Sequence, residues 1–196
     1  MPLKNVLSVV AGILFVLGYA PYITGILKKQ TKPSKASWLI WATLDLITII
    51  AMLVKHTVNG QIVGAVAGSW IVVALAFKYG TPGWSRLDKF CLGGAALGLA
   101  LWKIFGDPVF GLVTSQSVVL IASFPTFASA WRDPRMESRL GWTCWWLSCV
   151  LTVIAIPHWT LMDAFQPIVW LAIETTMMFI LFVKPLRKRE KPCRNS

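Results

Sequence analysis

Apolar stretches long enough to cross a membrane alternate along this chain with short polar breaks. A transmembrane helix needs about 20 mostly apolar residues. The pattern predicts seven such helices, over residues 6–27, 37–54, 60–77, 90–105, 108–131, 140–157 and 164–183. The first stretch is too long for the apolar core of a signal peptide, and no A-x-A cleavage site follows it, so we expect it to be retained. The expected fold class is an all-α membrane protein with seven transmembrane helices.

Composition excludes most soluble classes of protein. Of 196 residues, 56% are apolar and 14% are charged, whereas a soluble domain usually carries about 25% charged residues. We therefore expect the lipid bilayer as a partner and no nucleic acid. The four cysteines, Cys91, Cys144, Cys149 and Cys193, form no CxxC pair and have no histidine at ligand spacing, so neither a metal site nor a cofactor is expected. Because the HExxH, GxSxG and nucleotide-binding glycine motifs are also missing, we expect no enzyme.

The distribution of basic residues predicts the orientation of the helices. If seven helices alternate in direction, three of the 19 lysines and arginines (Lys4, Lys55 and Lys103) lie on one side and sixteen on the other. Cytoplasmic loops carry such an excess of positive charge. We expect the amino terminus outside and the carboxyl terminus in the cytoplasm, in the plasma (inner) membrane. For the basic tail we favour anchoring of the topology over a patch for anionic lipid or nucleic acid.

An internal repeat connects the two ends of the chain. A shift of 104 positions aligns Pro21 with Pro125, Ser34 with Ser138, Trp38 with Trp142, Trp41 with Trp145 and Thr48 with Thr152. A further four-residue shift aligns Trp70 with Trp170. Since one additional helix restores the direction of the chain, the two units are expected to be parallel. The predicted domains are a first triple-helix repeat (1–80), a linker helix (81–107), a second triple-helix repeat (108–185) and a basic cytoplasmic tail (186–196).

Two segments of the repeat, GYAPYITGILKKQTKPSKASW and SFPTFASAWRDPRMESRLGW, resemble the SWEET and PQ-loop transporter superfamily. The resemblance implies two triple-helix bundles, a substrate cavity between them, and hinges at Pro21 and Pro125. The chain departs from the sugar-transporting members, because it has Trp41 and Trp145 where they carry a second proline. It also lacks the Pro-Gln dipeptide of the lysosomal branch. Tryptophan-lined transporters of the PnuC type, which carry nicotinamide riboside, are a second resemblance.

Tryptophans and two carboxyls are the candidates for solute binding. Trp38, Trp41 and Asp45 share one face of the second helix, since their spacing is i, i+3 and i+7. We expect Trp38 and Trp142 to lie in the interfacial belt of aromatic residues. The deeper tryptophans offer stacking surfaces to a sugar, a nucleoside or an organic cation. The candidate substrate-binding residues are Trp41, Trp70, Gln116, Trp145, Trp170 and Glu174.

Asp45 and Glu174 are the acidic residues within the predicted spans, and no lysine or arginine lies at mid-span beside them. A charge near the bilayer centre costs at least ~2.5–3.5 kcal/mol, so such groups usually face a cavity or a partner. Each carboxyl must be protonated, hydrated or bound to a cationic ligand, which makes both candidates for proton coupling. The alternative is a neutral carboxyl bonded to a neighbouring helix. Gly60, Gly64 and Gly68 form a stripe that predicts close helix packing.

The interpretation we favour is a membrane transporter that moves a small polar solute by alternating access. The solute is a sugar, a nucleoside or vitamin, or an amino acid, and transport is either facilitated or proton-coupled. The alternative is a non-transporting receptor or sensor on the same seven-helix fold. The expected partners are the small-molecule substrate and the bilayer, and assembly into a homo-oligomer is left open.

Overall fold

The computed structural model describes residues 2–81 and 84–183, and all regular structure within them is helical. The predicted basic tail, residues 186–196, lies outside the described residues. The helices are α1 (Pro2–Leu27), α2 (Lys35–Val54), α3 (Gly60–Tyr79), α4 (Arg86–Phe105), α5 (Pro108–Ala122), α6 (Phe124–Arg132), α7 (Arg139–Ala155) and α8 (Leu161–Met178). A short 3-10 turn, Pro134–Met136, precedes α7, and α8 ends in the π-helical turn Phe179–Val183.

Five helical stretches in the described residues are long and apolar enough to cross a bilayer: Leu3–Leu27, Lys35–Val54, Gly60–Tyr79, Val109–Arg132 and Leu161–Val183. Helix α7 is apolar but shorter. Helix α4 does not belong to this group, and it carries three charged residues in its first turn and Lys103 in its last. The architecture fits an integral, multi-pass membrane protein. The count of seven spans stays a prediction.

The predicted span 108–131 matches the helical stretch Val109–Arg132, although its regular hydrogen bonding is interrupted at Ser123, between α5 and α6. Pro125 has no N–H to donate to the turn before it. The Ser123 hydroxyl donates to the Val119 carbonyl (2.9 Å), so a side chain competes with the backbone bonds at this point. The chain stays helical through Ser123, whose φ is −75° and ψ is −22°, so only the hydrogen-bond pattern of the span is interrupted.

Serine caps begin α2 and α7 at positions that the 104-residue shift aligns. The Ser34 hydroxyl accepts a bond from the Ser37 N–H, and the Ser138 hydroxyl accepts one from the Gly141 N–H. Each cap satisfies a backbone donor that the first turn of a helix leaves free. The two helices therefore start at matching positions, which is what brings their tryptophans to the same depth.

Packing places six helices around a common centre. Helix α3 lies between α1 and α2, and α8 lies between α5 and α7. Two further contacts close the arrangement, because α1 packs along α7 and α2 packs along α5. Helix α4 packs on the outside, against α5 and α2. The interior of this arrangement is where the buried polar residues of four helices meet.

Close approach of α1 and α3 depends on the glycine stripe, and the sequence-based prediction of tight packing is confirmed. A Cβ on Gly60 would collide with the Ser8 carbonyl oxygen, and one on Gly68 would collide with the Tyr19 ring. The Gly60 N–H also donates to the Ser8 hydroxyl (2.8 Å). This contact holds α1 in the position from which its aromatic side chains point into the centre.

Candidate functional site

A small chamber lies at the centre of the six helices, and most of its wall is aromatic. Its volume is about 10 Å³, roughly the space of one water molecule. A larger solute can therefore enter only if the rings move apart. The described residues that line it are Phe15, Tyr19, Trp38, Trp41, Asp45, Ser69, Trp142, Trp145, Trp170 and Glu174.

Two tryptophans are fixed to the opposite half of the structure by equivalent bonds. The Trp41 indole N–H donates to the Val119 carbonyl (3.2 Å), and the Trp145 indole N–H donates to the Phe15 carbonyl (2.9 Å). The 104-residue shift relates both the donors and the acceptors. Trp145 approaches α1 closely because Gly18 has no side chain there, and a Cβ would lie 2.5 Å from the indole nitrogen.

The rings pack edge to face or tilted, which are the favourable geometries for aromatic pairs. The Trp145 ring centroid lies 5.0 Å from that of Tyr22 and 5.3 Å from that of Tyr19. On the other side of the chamber, the Trp41 and Trp170 centroids are 5.8 Å apart. The ring faces thus form a continuous wall that joins α1, α2, α7 and α8.

Four polar side-chain atoms in this wall are buried and have no hydrogen-bond partner within the described residues: Asp45 Oδ1, Ser69 Oγ, Trp170 Nε1 and Glu174 Oε2. Buried polar groups are almost always paired, and each exception calls for an explanation. Because all four belong to one chamber on three helices, a bound solute would satisfy them together.

Glu137 closes the chamber at the end where the basic loops lie. Its Oε2 accepts bonds from the Trp142 indole N–H (2.9 Å) and from the Tyr22 hydroxyl (3.1 Å). The Tyr22 hydroxyl oxygen in turn accepts the Trp38 indole N–H (3.1 Å). Burial raises the pKa of Glu137 to about 7, although the bonds from Trp142 and Tyr22 oppose the shift. We call this set of four side chains the Glu137 layer.

Sequence reasoning missed Glu137, because a glutamate in a loop beside arginines looks like an ordinary solvated residue. Its burial depends on the contact between two distant loops, where the Lys32 N–H donates to the Met136 carbonyl (3.0 Å). On its outer side, Glu137 faces a cavity of about 480 Å³ that Lys28 and Arg135 also line. The Glu137 layer therefore separates this basic-end cavity from the chamber.

A second cavity, of about 220 Å³, lies at the opposite end and is lined by Lys4, His56 and Asp163 among others. A polar layer separates it from the chamber. The Gln61 amide donates to Cys149 Sγ (3.0 Å), and the Ser148 hydroxyl donates to the Ala11 carbonyl (2.7 Å). The chamber is thus closed towards both ends.

The structure brings Trp41, Trp145, Trp170, Asp45 and Glu174 together in the chamber. It does not bring Trp70 there, because that side chain is 41% exposed on the outer face of α3. Residues two positions apart on a helix point in directions about 200° apart, so Trp70 faces away from α1 when Gly68 contacts it. Ser69 takes the inner position.

Two other expectations also need correction. Trp38 and Trp142 do not lie in an interfacial belt, since they are 5% and 1% exposed and line the chamber. Gln116 is buried outside the chamber, where its amide donates to the Thr48 hydroxyl (2.8 Å) between α5 and α2. In helices that are apolar all round, the sequence alone does not distinguish these faces.

The two predicted hinges differ in local structure. Pro21 lies inside the continuous helix α1, whereas Pro125 stands in the first turn of α6, two residues after the interruption of the hydrogen bonds at Ser123. Pro125 leaves the Ile121 carbonyl without its helical donor, and Cys91 Sγ of α4 lies 3.5 Å from that oxygen. A role of these prolines in motion stays a prediction.

Comparisons of the chain with protein-family models, with curated proteins and with solved structures found no match. The function of the chain is therefore inferred from the geometry of the chamber and of the two layers that close it.

Proposed function

We propose that this chain is a membrane transporter that moves a small polar solute by alternating access. The observation that carries the proposal is a closed central chamber with four unpartnered polar atoms within the described residues, set between two end cavities. An alternating-access carrier needs a central site that each of two opposable layers can seal. The Glu137 layer and the polar layer around Gln61 are the candidates for these seals.

Within this proposal, the bundle is built from two parallel three-helix units that α4 connects, as in the SWEET-like arrangement. The packing of α1 on α7 has its counterpart in the packing of α5 on α2, as a two-fold repeat requires. The equivalent bonds of Trp41 and Trp145 support the same relation. The axis of the repeat would run along the membrane normal.

The basic end of the bundle faces the cytoplasm in this proposal. Loop 28–35 contacts loop 133–138, and the Thr81 N–H donates to the Pro33 carbonyl (3.1 Å), so three basic segments meet at one end. Such clustering of lysine and arginine is typical of cytoplasmic loops. The Glu137 layer would then be the cytoplasmic seal.

The test is solute flux into liposomes that contain the purified chain. Sugars, nucleosides, amino acids and organic cations are offered singly, and uptake is compared with protein-free liposomes. We expect saturable uptake of one class and acceleration by the same unlabelled solute on the opposite side. Specific binding in detergent without any flux in liposomes would contradict the transporter and favour a receptor.

The same assay, with a pH gradient, distinguishes a proton-coupled carrier from a facilitator. If Glu174 carries a proton with the solute, Glu174→Gln should abolish uphill accumulation but preserve exchange between the two sides. If its carboxylate neutralises a cationic solute, the variant should lose binding. Accumulation and binding at the parental level in Glu174→Gln would exclude both roles for this residue.

A further inference from the structure

The charge of the chamber wall has one sign. Its described lining residues include Asp45 and Glu174 but no lysine, arginine or histidine. Both carboxyls are fully buried, and an oxygen of each lacks a partner within the described chain. An isolated ionised carboxylate is poorly tolerated in a low-dielectric interior unless a positive group approaches it. A ligand that brings positive charge would satisfy both oxygens, whereas an anion would be repelled.

The wall also has few free hydrogen-bond donors among its described lining residues. Five tryptophans line the described chamber, and four of their indole N–H groups are already used. Trp41 and Trp145 donate to backbone carbonyls, and Trp38 and Trp142 donate within the Glu137 layer. The Trp170 N–H and the Ser69 hydroxyl remain to meet an acceptor on the ligand. The many acceptor oxygens of a polyol would therefore find few donors here.

The ring faces match a cation better than a neutral solute. Aromatic faces carry negative electrostatic potential, so a positive group within about 6 Å of several rings is attracted to them, and tryptophan is the strongest partner. The wall combines five tryptophans with Phe15 and Tyr19 around two carboxyls. An ammonium group with several N–H donors also needs many acceptors, whereas a quaternary or aromatic nitrogen requires only faces and counter-charge.

We propose that the chamber recognises a small organic cation whose charge resides on a quaternary or aromatic nitrogen. The carboxylates of Asp45 and Glu174 supply the opposite charge. The ring faces of Trp41, Trp145 and Trp170 contact the cation. The proposal deepens the proposed function, since it names the substrate class of the same site. Binding requires the rings to separate, because the closed chamber is far smaller than such a cation.

The first test compares choline with its neutral carbon isostere, 3,3-dimethylbutan-1-ol, by calorimetric titration of the purified full chain in detergent. The two molecules share shape and hydroxyl but differ in charge. We expect choline, or N-methylpyridinium as the aromatic cation, to bind about tenfold or more tightly than the neutral isostere. Equal affinity for choline and the isostere, or binding of sodium ion in place of both cations, would overturn the proposal.

The second test uses two tryptophans that the repeat aligns, one inside and one outside the chamber. Trp170→Leu should weaken choline binding about tenfold, whereas Trp70→Leu on the outer face should leave it unchanged. Asp45→Asn and Glu174→Gln should each weaken choline binding more than binding of the isostere. Equal effects of Trp70→Leu and Trp170→Leu would contradict the assignment. If a variant fails to fold, the comparison of choline with its isostere on the parent chain still tests the proposal.

Flux measurements keep this proposal separate from the proposed function. Cation binding in detergent with no flux in liposomes would refute the transporter and leave the cation site. Saturable flux of a neutral solute, with no cation binding, would refute the cation site and leave the transporter.

Discussion

Glu137 is the residue whose protonation couples most directly to the closure of one end of the chamber. Burial raises its pKa to about 7, so the folded chain retains a proton that the unfolded chain has released. A carboxyl of this kind contributes stability that is fully present below about pH 4.5 and is lost as the pH rises through about 7. The free energy of unfolding lost over this pH range amounts to roughly 3 kcal/mol.

We therefore expect the melting temperature of the parent chain in detergent to fall between pH 5 and pH 8. Glu137→Gln should flatten this fall, because an amide can accept the bonds from Trp142 and Tyr22 without becoming charged. Asp88→Asn, which alters a partly exposed carboxyl at the start of α4, serves as the control and should keep the parental slope, because the amide oxygen can still accept the bond from the Ser85 N–H. Parallel curves for the parent and Glu137→Gln would refute the assignment.

Gly18 illustrates how one missing side chain positions a ring of the chamber. We expect Gly18→Ala to destabilise the protein by about 1–3 kcal/mol, since a Cβ there would displace the Trp145 indole from its bond to Phe15. Gly93→Ala is the matched control on α4, where a Cβ would meet nothing within 4 Å. Alanine favours a helix by up to ~1 kcal/mol over glycine, so that control should be neutral or stabilising. Thermal melts of both variants measure these changes in stability. Equal losses of stability in Gly18→Ala and Gly93→Ala would exclude a special role for Gly18.

At the scale of elements, the two prolines make different demands on their helices. Pro21→Ala restores one backbone donor inside a continuous helix, whereas Pro125→Ala restores one next to Ser123, where the regular hydrogen bonding is already interrupted. We expect both variants to fold and to transport more slowly, because each regains a helical bond that resists bending. Uptake into liposomes, normalised to the amount of folded protein, is the measurement. Unchanged flux in both variants would show that the prolines serve packing alone.

Much of the element level could be predicted from the sequence. Runs of apolar residues located the helices to within a few residues, because the length and hydropathy of a run are local properties. The interruption of the hydrogen bonds at Ser123 was not predicted, since a proline inside an apolar run does not reveal how the turn before it is bonded. The length of a span is local information, which is why 108–131 could be predicted from the sequence.

Which face of each helix points inward was harder to predict. In a soluble helix the polar face identifies the solvent side, but a membrane helix is apolar towards both lipid and core. Asp45 and Glu174 could be assigned to the inward faces of their helices, because a carboxyl avoids lipid. The face on which Trp70 lies could not be predicted, since an indole is tolerated towards lipid and towards the core. The position of Glu137 depended on the contact of two loops about 100 residues apart in sequence, which no local pattern encodes.

At the scale of the whole molecule, the orientation in the membrane is the property that most constrains the mechanism. Gln30 lies in the exposed loop after α1, and Thr57 lies near the cavity at the opposite end. With the four native cysteines replaced, a cysteine at position 30 should react with an impermeant thiol reagent only from the cytoplasm, and one at position 57 only from outside. Labelling of intact cells and of inverted vesicles measures this. Identical accessibility at both positions would contradict the proposed topology.

The small volume of the chamber has an electrical consequence for the membrane around it. Ions and protons cross proteins along continuous files of water, and an apolar constriction interrupts such a file by excluding water. A chamber of about 10 Å³, with seven aromatic side chains among its described lining residues, makes a constriction of this kind. In this closed form we therefore expect the bundle to conduct no ions, because the chamber has room for about one water molecule and not for a continuous file. A membrane can hold many copies without discharging the ion gradients that power its other proteins.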